Sequence, residues 1–178
     1  MTIYVMGHKN PDSDTIISSI ATAELLKQRG LDAVAVKQGD ITPETKFILD
    51  TFKLEVPETL TSVSDKEIAL VDTTELSQLP DDIDNAKVLF VADHHKLGGL
   101  KTASPLEFYG QPVGSTATIL TNVFASENKN IPANIAGAML CAVLSDTVLF
   151  KSPTTTNCDK DAVEKLAKIA GVEKPLDL

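Results

Sequence analysis

A chain of 178 residues with 43% hydrophobic and 23% charged positions has enough apolar material for one compact core and is too apolar for a disordered segment. A net charge of −9 works against a general binder of nucleic acid or of anionic membranes, and 4% aromatic content without tryptophan leaves little to stack on single-stranded bases. Cys141 and Cys158 lack the spacing of a metal knuckle and read as free thiols, and no leader or bilayer-length apolar run is visible, so the expected location is the cytoplasm.

Ile3-Tyr4-Val5-Met6, closed by Gly7, reads as a buried strand of a parallel sheet. The chain then leaves through Gly7-His8-Lys9-Asn10-Pro11-Asp12-Ser13-Asp14, a turn with a mechanism: proline fixes φ, and short polar side chains cap free N–H groups. A helical run from Thr15 to Arg29 follows, with apolar rows at i, i+4, and Gly30 is placed to end it. Ala33 to Val36 is a second strand, and Thr42-Pro43-Glu44 is an N-cap with proline at the first helical position, before Phe47, Ile48 and Phe52.

Ile68 to Val71 is a third strand, stopping at Asp72, and Val88 to Val91 a fourth, running into Asp93-His94-His95. The glycine- and proline-punctuated stretch from Ser104 to Gly114 predicts a long connection with one short strand near Leu106 to Tyr109. Gly114-Ser115 opens a helix through Ile119, Leu120 and Val123. A further helix over Ile135 to Leu144 is apolar all round, which predicts burial against the sheet. It ends at Ser145-Asp146-Thr147, and a last helix, Asp159 to Ala170, is closed by Gly171. The fold class expected is α/β: a doubly wound, mainly parallel sheet with helices on both faces, whose ligands bind outside the carboxyl ends of the strands.

Polar residues gather at those ends. His8, Asp12 and Asp14 follow the first strand, Asp72 the third and His94 the fourth, while Asp146 closes an apolar helix where an acid opposes the helix dipole. Pro-Asp-Ser-Asp alone would be an ordinary cap, but the chain has only three histidines and all stand beside these carboxylates. Four such acids together repel unless cations intervene, and mixed imidazole and carboxylate donors suit Mn²⁺, Co²⁺ or Fe²⁺ better than Ca²⁺. That pattern points to a dinuclear centre and to hydrolysis at phosphorus.

Gly7 to Asp14, Asp72 after an apolar strand, Asp93-His94-His95, and Ser145-Asp146-Thr147 with Lys151-Ser152-Pro153 resemble the motif series of the DHH phosphoesterase superfamily. They are most similar to the N-terminal domain of family II, manganese-dependent inorganic pyrophosphatases. The resemblance implies that His8, Asp12 and Asp72 hold one metal and that Asp14, Asp72, His94 and Asp146 hold the other, with Asp72 bridging. It implies catalytic roles for Asp72 and for His95, which would face the leaving phosphate, with Asp93 a supporting acid. It further implies two divalent ions, Mn²⁺ first and Co²⁺ admissible, Mg²⁺ accompanying the substrate, pyrophosphate split into two phosphates, and a homodimer.

In domain terms the expectation is a metal-binding unit over residues 1–171, the start of an interdomain linker over 172–178, and a C-terminal substrate-clamping domain absent from this chain. Two departures bear on activity. Thr73-Thr74 follow Asp72 where that family shows His-Asn, and the sole arginine, Arg29, falls at the far end of the first helix, so no arginine clamp is available here. Lys9, Lys151 and the helix start at Ser115 are possible phosphate contacts, each with an ordinary surface or capping role as its alternative. Weak activity in isolation is therefore expected. The rival readings are an exopolyphosphatase or oligonucleotide phosphodiesterase of the same superfamily, and a metal-binding module that does not catalyse.

Overall fold

The computed structural model describes residues 1–177. Six strands, β1 (Ile3–Met6), β2 (Ala33–Lys37), β3 (Glu58–Thr59), β4 (Glu67–Val71), β5 (Lys87–Asp93) and β6 (Glu107–Gly110), form one parallel sheet in the order β3-β2-β1-β4-β5-β6. Five α-helices accompany them: α1 (Ser13–Gln28), α2 (Pro43–Phe52), α3 (Thr116–Ser126), α4 (Ala133–Asp146) and α5 (Asn157–Ala170).

From β1 the chain winds outward to β2 and β3, then returns to β4 and winds the other way to β5 and β6. Right-handed crossovers in opposite directions must run over opposite faces, so the sheet is doubly wound. The reversal lies between β1 and β4, which pair from Ile3↔Glu67 to Met6↔Leu70. A crevice opens outside their carboxyl ends, and His8 and Asp72 stand just beyond those ends.

The two faces are covered unequally, one by the α-helices and the other by 3-10 turns and loops. Ile3, Val5, Ala69, Val71, Phe90 and Ala92 point into a core shared with all five α-helices. Met6, Ile68, Leu70 and Val91 point into a smaller core closed by Leu79 and Ile83, beside the 3-10 turns Leu76–Gln78 and Ile83–Asn85. A bulge between β4 and β5, where Ile68 pairs with Val88 but Ala69 with Phe90, turns the large Phe90 ring into the helical core.

The expectation that α4 lies against the sheet is corrected. α1 and α3 lie on the sheet, and α4 packs chiefly on α1 and α5, with α2 and α3 at its flanks. An all-round apolar helix needs cover on every side, and neighbouring helices supply it as well as strands do. Gly137 marks the closeness of the fit, because a Cβ there would stand 2.1 Å from Phe52 Cε1. After Asp146 the chain turns through Val148, Leu149 and Phe150 at φ 50, 53 and 65, a left-handed stretch costly for non-glycine residues. β3 has only two residues, both exposed, and no apolar period announces it in the sequence. The stretch after Gly171, expected as linker, packs Val172 against the helical core and forms a 3-10 turn at Pro175–Asp177; Leu178 lies outside the described residues. No helix is long and apolar enough to cross a membrane among the described residues.

Candidate metal centre

The cap after β1 does two jobs. Asp12 is the N-cap of α1, its Oδ1 accepting the Thr15 N–H at 2.9 Å, while its Oδ2 faces His8 Nε2 at 3.6 Å. One carboxylate therefore starts the helix and lines the site. Gly7 is required for the close approach of β1 to its neighbours: a Cβ there would lie 2.5 Å from Thr15 Cγ2 and 2.8 Å from the Val71 carbonyl oxygen.

Asp72 is the hub. It is 1% exposed, leaves β4 at φ 62, and divides its two oxygens between two histidines: Oδ2 lies 3.4 Å from His8 Nε2 and Oδ1 lies 3.3 Å from His94 Nε2. Thr15 and Thr116 donate their hydroxyls to Oδ2 and Oδ1, at 2.6 and 3.0 Å. Asp14, fully buried, accepts the N–H groups of Thr116 and Ala117 and the hydroxyls of Ser18 and Ser115. Asp146 brings its Oδ2 to 3.7 Å from His94 Nε2.

Donor atoms of His8, Asp12 and Asp72 all lie within 4.8 Å of one another, and so do those of Asp14, Asp72, His94 and Asp146. Donor atoms of Asp72, His94 and His95 make a third such group. Every site residue named from the sequence is thus brought to one place, and Asp72 belongs to each set.

Without counter-ions this cluster is electrostatically crowded. Burial, then the Asp72 charge, raises the Asp14 carboxyl, and burial with the charges of Asp14 and Asp72 raises Asp146. Burial also opposes the charge of Asp72, but the neighbouring His8 and His94 rings and the Thr15 hydroxyl outweigh it and hold that carboxyl well below the usual range. Burial opposes protonation of His8 and His94 as well, yet Asp12 and Asp72 carry His8 up to about 10, and Asp72 and Asp14 carry His94 up to about 9.

The donor set fits divalent cations. His94 Nδ1 is tied to the Val113 carbonyl at 3.0 Å, a partner that can only accept, so Nε2 is the free donor; it is buried, lacks a hydrogen-bond partner among the described residues, and faces Asp72 and Asp146. His95 is held differently, by Asp93, whose Oδ1 meets both its N–H and its Nδ1 at 3.0 Å. That hydrogen bond raises the His95 pKa against partial burial. Beside the cluster lies an open cleft of about 400 Å³, walled by His8, Thr73, Thr74, Gln78 and His95.

The start of α3 is occupied by Asp14, and the Ser115 hydroxyl both caps Ala117 and donates to Asp14, so this helix end is not free for phosphate. Lys9 pairs with Asp81 at 3.0 Å, and Lys151 is exposed. Arg29 sits at the far end of α1, pairing with Glu127 and Glu107 over the Phe90 ring. Thr73 and Thr74 are buried and order their own loop, Thr73 Oγ1 accepting the Glu75 N–H and Thr74 Oγ1 the Gly98 N–H. The supporting hydroxyls of Thr15, Ser18 and Thr116 carry no motif of their own in the sequence. Hydroxyl residues one and four places after Asp14 are a weak signal, since helix starts are rich in them.

The sequence profile of the DHH family, N-terminal domain, matches residues 2–143. A "Manganese-dependent inorganic pyrophosphatase" of Methanothrix thermoacetophila is 46% identical over 95% of this chain and 55% of its own length. A "Probable manganese-dependent inorganic pyrophosphatase" of Archaeoglobus fulgidus is 46% identical over 96% and 57%. A solved structure titled "Crystal structure of Methanococcus jannaschii putative family II inorganic pyrophosphatase" superimposes with a TM-score of 0.92 at 43% identity, over 98% of this chain and 58% of that one. The chain thus spans little more than half the length of these relatives. With its motifs gathered at the β1–β4 reversal and a profile match over most of its length, the chain belongs to the DHH family and represents that family's N-terminal domain.

Proposed function

We propose that this chain is the metal-binding half of a manganese-dependent inorganic pyrophosphatase, with His8, Asp12 and Asp72 on one ion and Asp14, Asp72, His94 and Asp146 on a second. The observation that carries the reading is Asp72, whose two oxygens face two histidines in two donor groups sharing only that carboxylate. The names of the curated relatives supply the substrate and the metal. Mn²⁺ is the first choice, with Co²⁺ compatible with the same donors and Mg²⁺ arriving with the substrate. The domain would be residues 1–171, with a linker beyond and a second, substrate-clamping domain in the longer protein.

Two divalent ions held here would supply Lewis acidity at the phosphoryl oxygens and a reactive water at neutral pH. The protein groups do the rest. Thr15 and Thr116 fix the plane of the Asp72 carboxylate, and α3 fixes Asp14. Asp93 orients His95, leaving its Nε2 to hold a proton for the departing phosphate at the edge of the cleft. In the longer protein, lysine and arginine residues of the second domain would neutralise the remaining phosphate charge, a task Arg29 is too far committed to perform. A homodimer belongs to the same proposal, with the exposed sheet edge at β6, where Phe108 is about half exposed, as the surface for a second copy. The charge of −9 supports an enzyme without general affinity for nucleic acid or anionic membranes, and the two free cysteines suit a reducing cytoplasm.

The test is phosphate release from pyrophosphate with Mn²⁺, on this chain and on a version extended past Leu178, with short polyphosphate and a dinucleotide as rival substrates. Hydrolysis of pyrophosphate that is strong only in the extended version is the expected result. Cleavage of a rival substrate alone would move the assignment elsewhere in the superfamily. Silence on all three with Mn²⁺ bound would leave a metal-binding module.

A further inference from the structure

We propose that Gln38 is a positioning residue of the metal centre, fixing the backbone that aims His8. Gln38 follows β2 and is half-buried. Its Nε2 donates to two carbonyls at once, Gly7 O at 2.6 Å and Gln78 O at 3.0 Å. The Gln78 carbonyl also accepts the Lys9 N–H at 3.0 Å. Gly7 C=O belongs to the peptide unit before His8, and Lys9 N–H to the unit after it. The unit before the His8 Cα is therefore tied to the Gln38 amide directly, and the unit after it through the Gln78 carbonyl that the same amide holds, which restrains the two soft dihedrals of that residue.

Gly39 closes the arrangement, because a Cβ there would stand 2.3 Å from the Lys9 carbonyl oxygen. The two histidines facing Asp72 are thus oriented by different means. His94 is aimed by its own ring, through Nδ1 and Val113; His8 is aimed through its backbone, and Gln38 holds that backbone against the Leu76–Gln78 turn. The inference rests on His8, Asp12 and Asp72 forming one metal site, as proposed above. Outer partners of metal ligands commonly change affinity by about 10- to 100-fold when removed.

The experiment is a Mn²⁺ titration of the full chain, with free ion read by electron paramagnetic resonance, on wild type, Q38M, H8A and the double variant. Q28M is the control for loss of a glutamine amide bond, since Gln28 Nε2 donates to Glu24 and to the Asn130 carbonyl at the far end of α1. Wild type and Q28M are expected to bind two Mn²⁺. Q38M should weaken one of them by about 10-fold or more and leave the other unchanged. In the H8A background Q38M should have no further effect, because the ligand it aims is gone. Thermal melting in EDTA separates this from unfolding, since a merely structural role would weaken both ions or act equally without His8. Two bound Mn²⁺ with Q38M like wild type, or with Q38M acting alike in both backgrounds, overturns the role of Gln38 while the two-ion reading stands. A single Mn²⁺ that H8A leaves untouched overturns both.

Discussion

The Asp14 carboxylate occupies the N-terminus of a helix to which it does not belong: Asp14 Oδ2 accepts the Thr116 N–H at 2.6 Å, across 102 positions of sequence. Oδ1 takes the Ala117 N–H, so the free donors and positive dipole end of α3 stabilise a buried acid at the start of α1. Asp14 is structural as well as a proposed ligand, whereas Asp146 has no hydrogen-bond donor of this kind among the described residues and is crowded by Asp14 and Asp72.

The two acids therefore respond oppositely to removal. In EDTA, D14A takes the acceptor from the buried Thr116 N–H and from the buried Ser18 and Ser115 hydroxyls and is expected to cost about 1–3 kcal/mol, more than the relief of repulsion returns. D146A removes only a crowded charge and is expected to raise stability under the same conditions. Both variants should lose Mn²⁺ affinity. Urea denaturation in EDTA checks the contrast, and destabilisation by D146A would refute it.

Proton linkage has a defined sign. The folded pKa values of His8 and His94 lie above 6.5, so the stability they contribute is fully present below pH 6.5 and is lost as pH rises through about 9 and 10. In EDTA the melting temperature should fall across that window. Mn²⁺ must displace those protons to bind, so its affinity should tighten over the same range and its addition should flatten the decline. Calorimetric melting from pH 6.5 to 10, with EDTA and with Mn²⁺, tests both.

Arg29 separates stability from chemistry. Its guanidinium pairs with Glu127 and Glu107 and lies 5.7 Å from the Phe90 ring centroid, at the opposite end of α1 from Asp14. R29M is expected to cost about 1–2 kcal/mol, discounted for the partial exposure of the glutamates. Mn²⁺ affinity should be unchanged. A loss of metal binding at unchanged fold would refute this division.

The left-handed turn after Asp146 stores strain that the fold tolerates. Val148 is β-branched, stands at φ 50 and is 58% exposed, so its side chain returns little packing for its conformational cost. V148G should raise stability by about 0.5–1 kcal/mol, the difference between the strain released and the entropy glycine adds to the unfolded chain. Equilibrium unfolding of the variant measures it.

The sequence by itself announced five of the six strands, most helix starts and the candidate metal ligands, because each signal is local. Ile3 to Met6 and Ile68 to Val71 are short apolar runs ending in polar residues, Thr42-Pro43 starts a helix through its own side chain and ring, and three histidines beside carboxylates are visible in the order of the letters. Only the tertiary structure decided which groups share a contact. β3 exists because β2 offers an edge rather than because Glu58-Thr59 favour a strand, and α4 finds helices on its flanks where an apolar pattern alone specifies burial without naming the partner. Nor does the order of the residues assign the start of α3 to Asp14 or Gln38 to the carbonyls around His8. Those bonds join segments about 30 to 100 positions apart, and they form only after the sheet has placed β1 between β2 and β4.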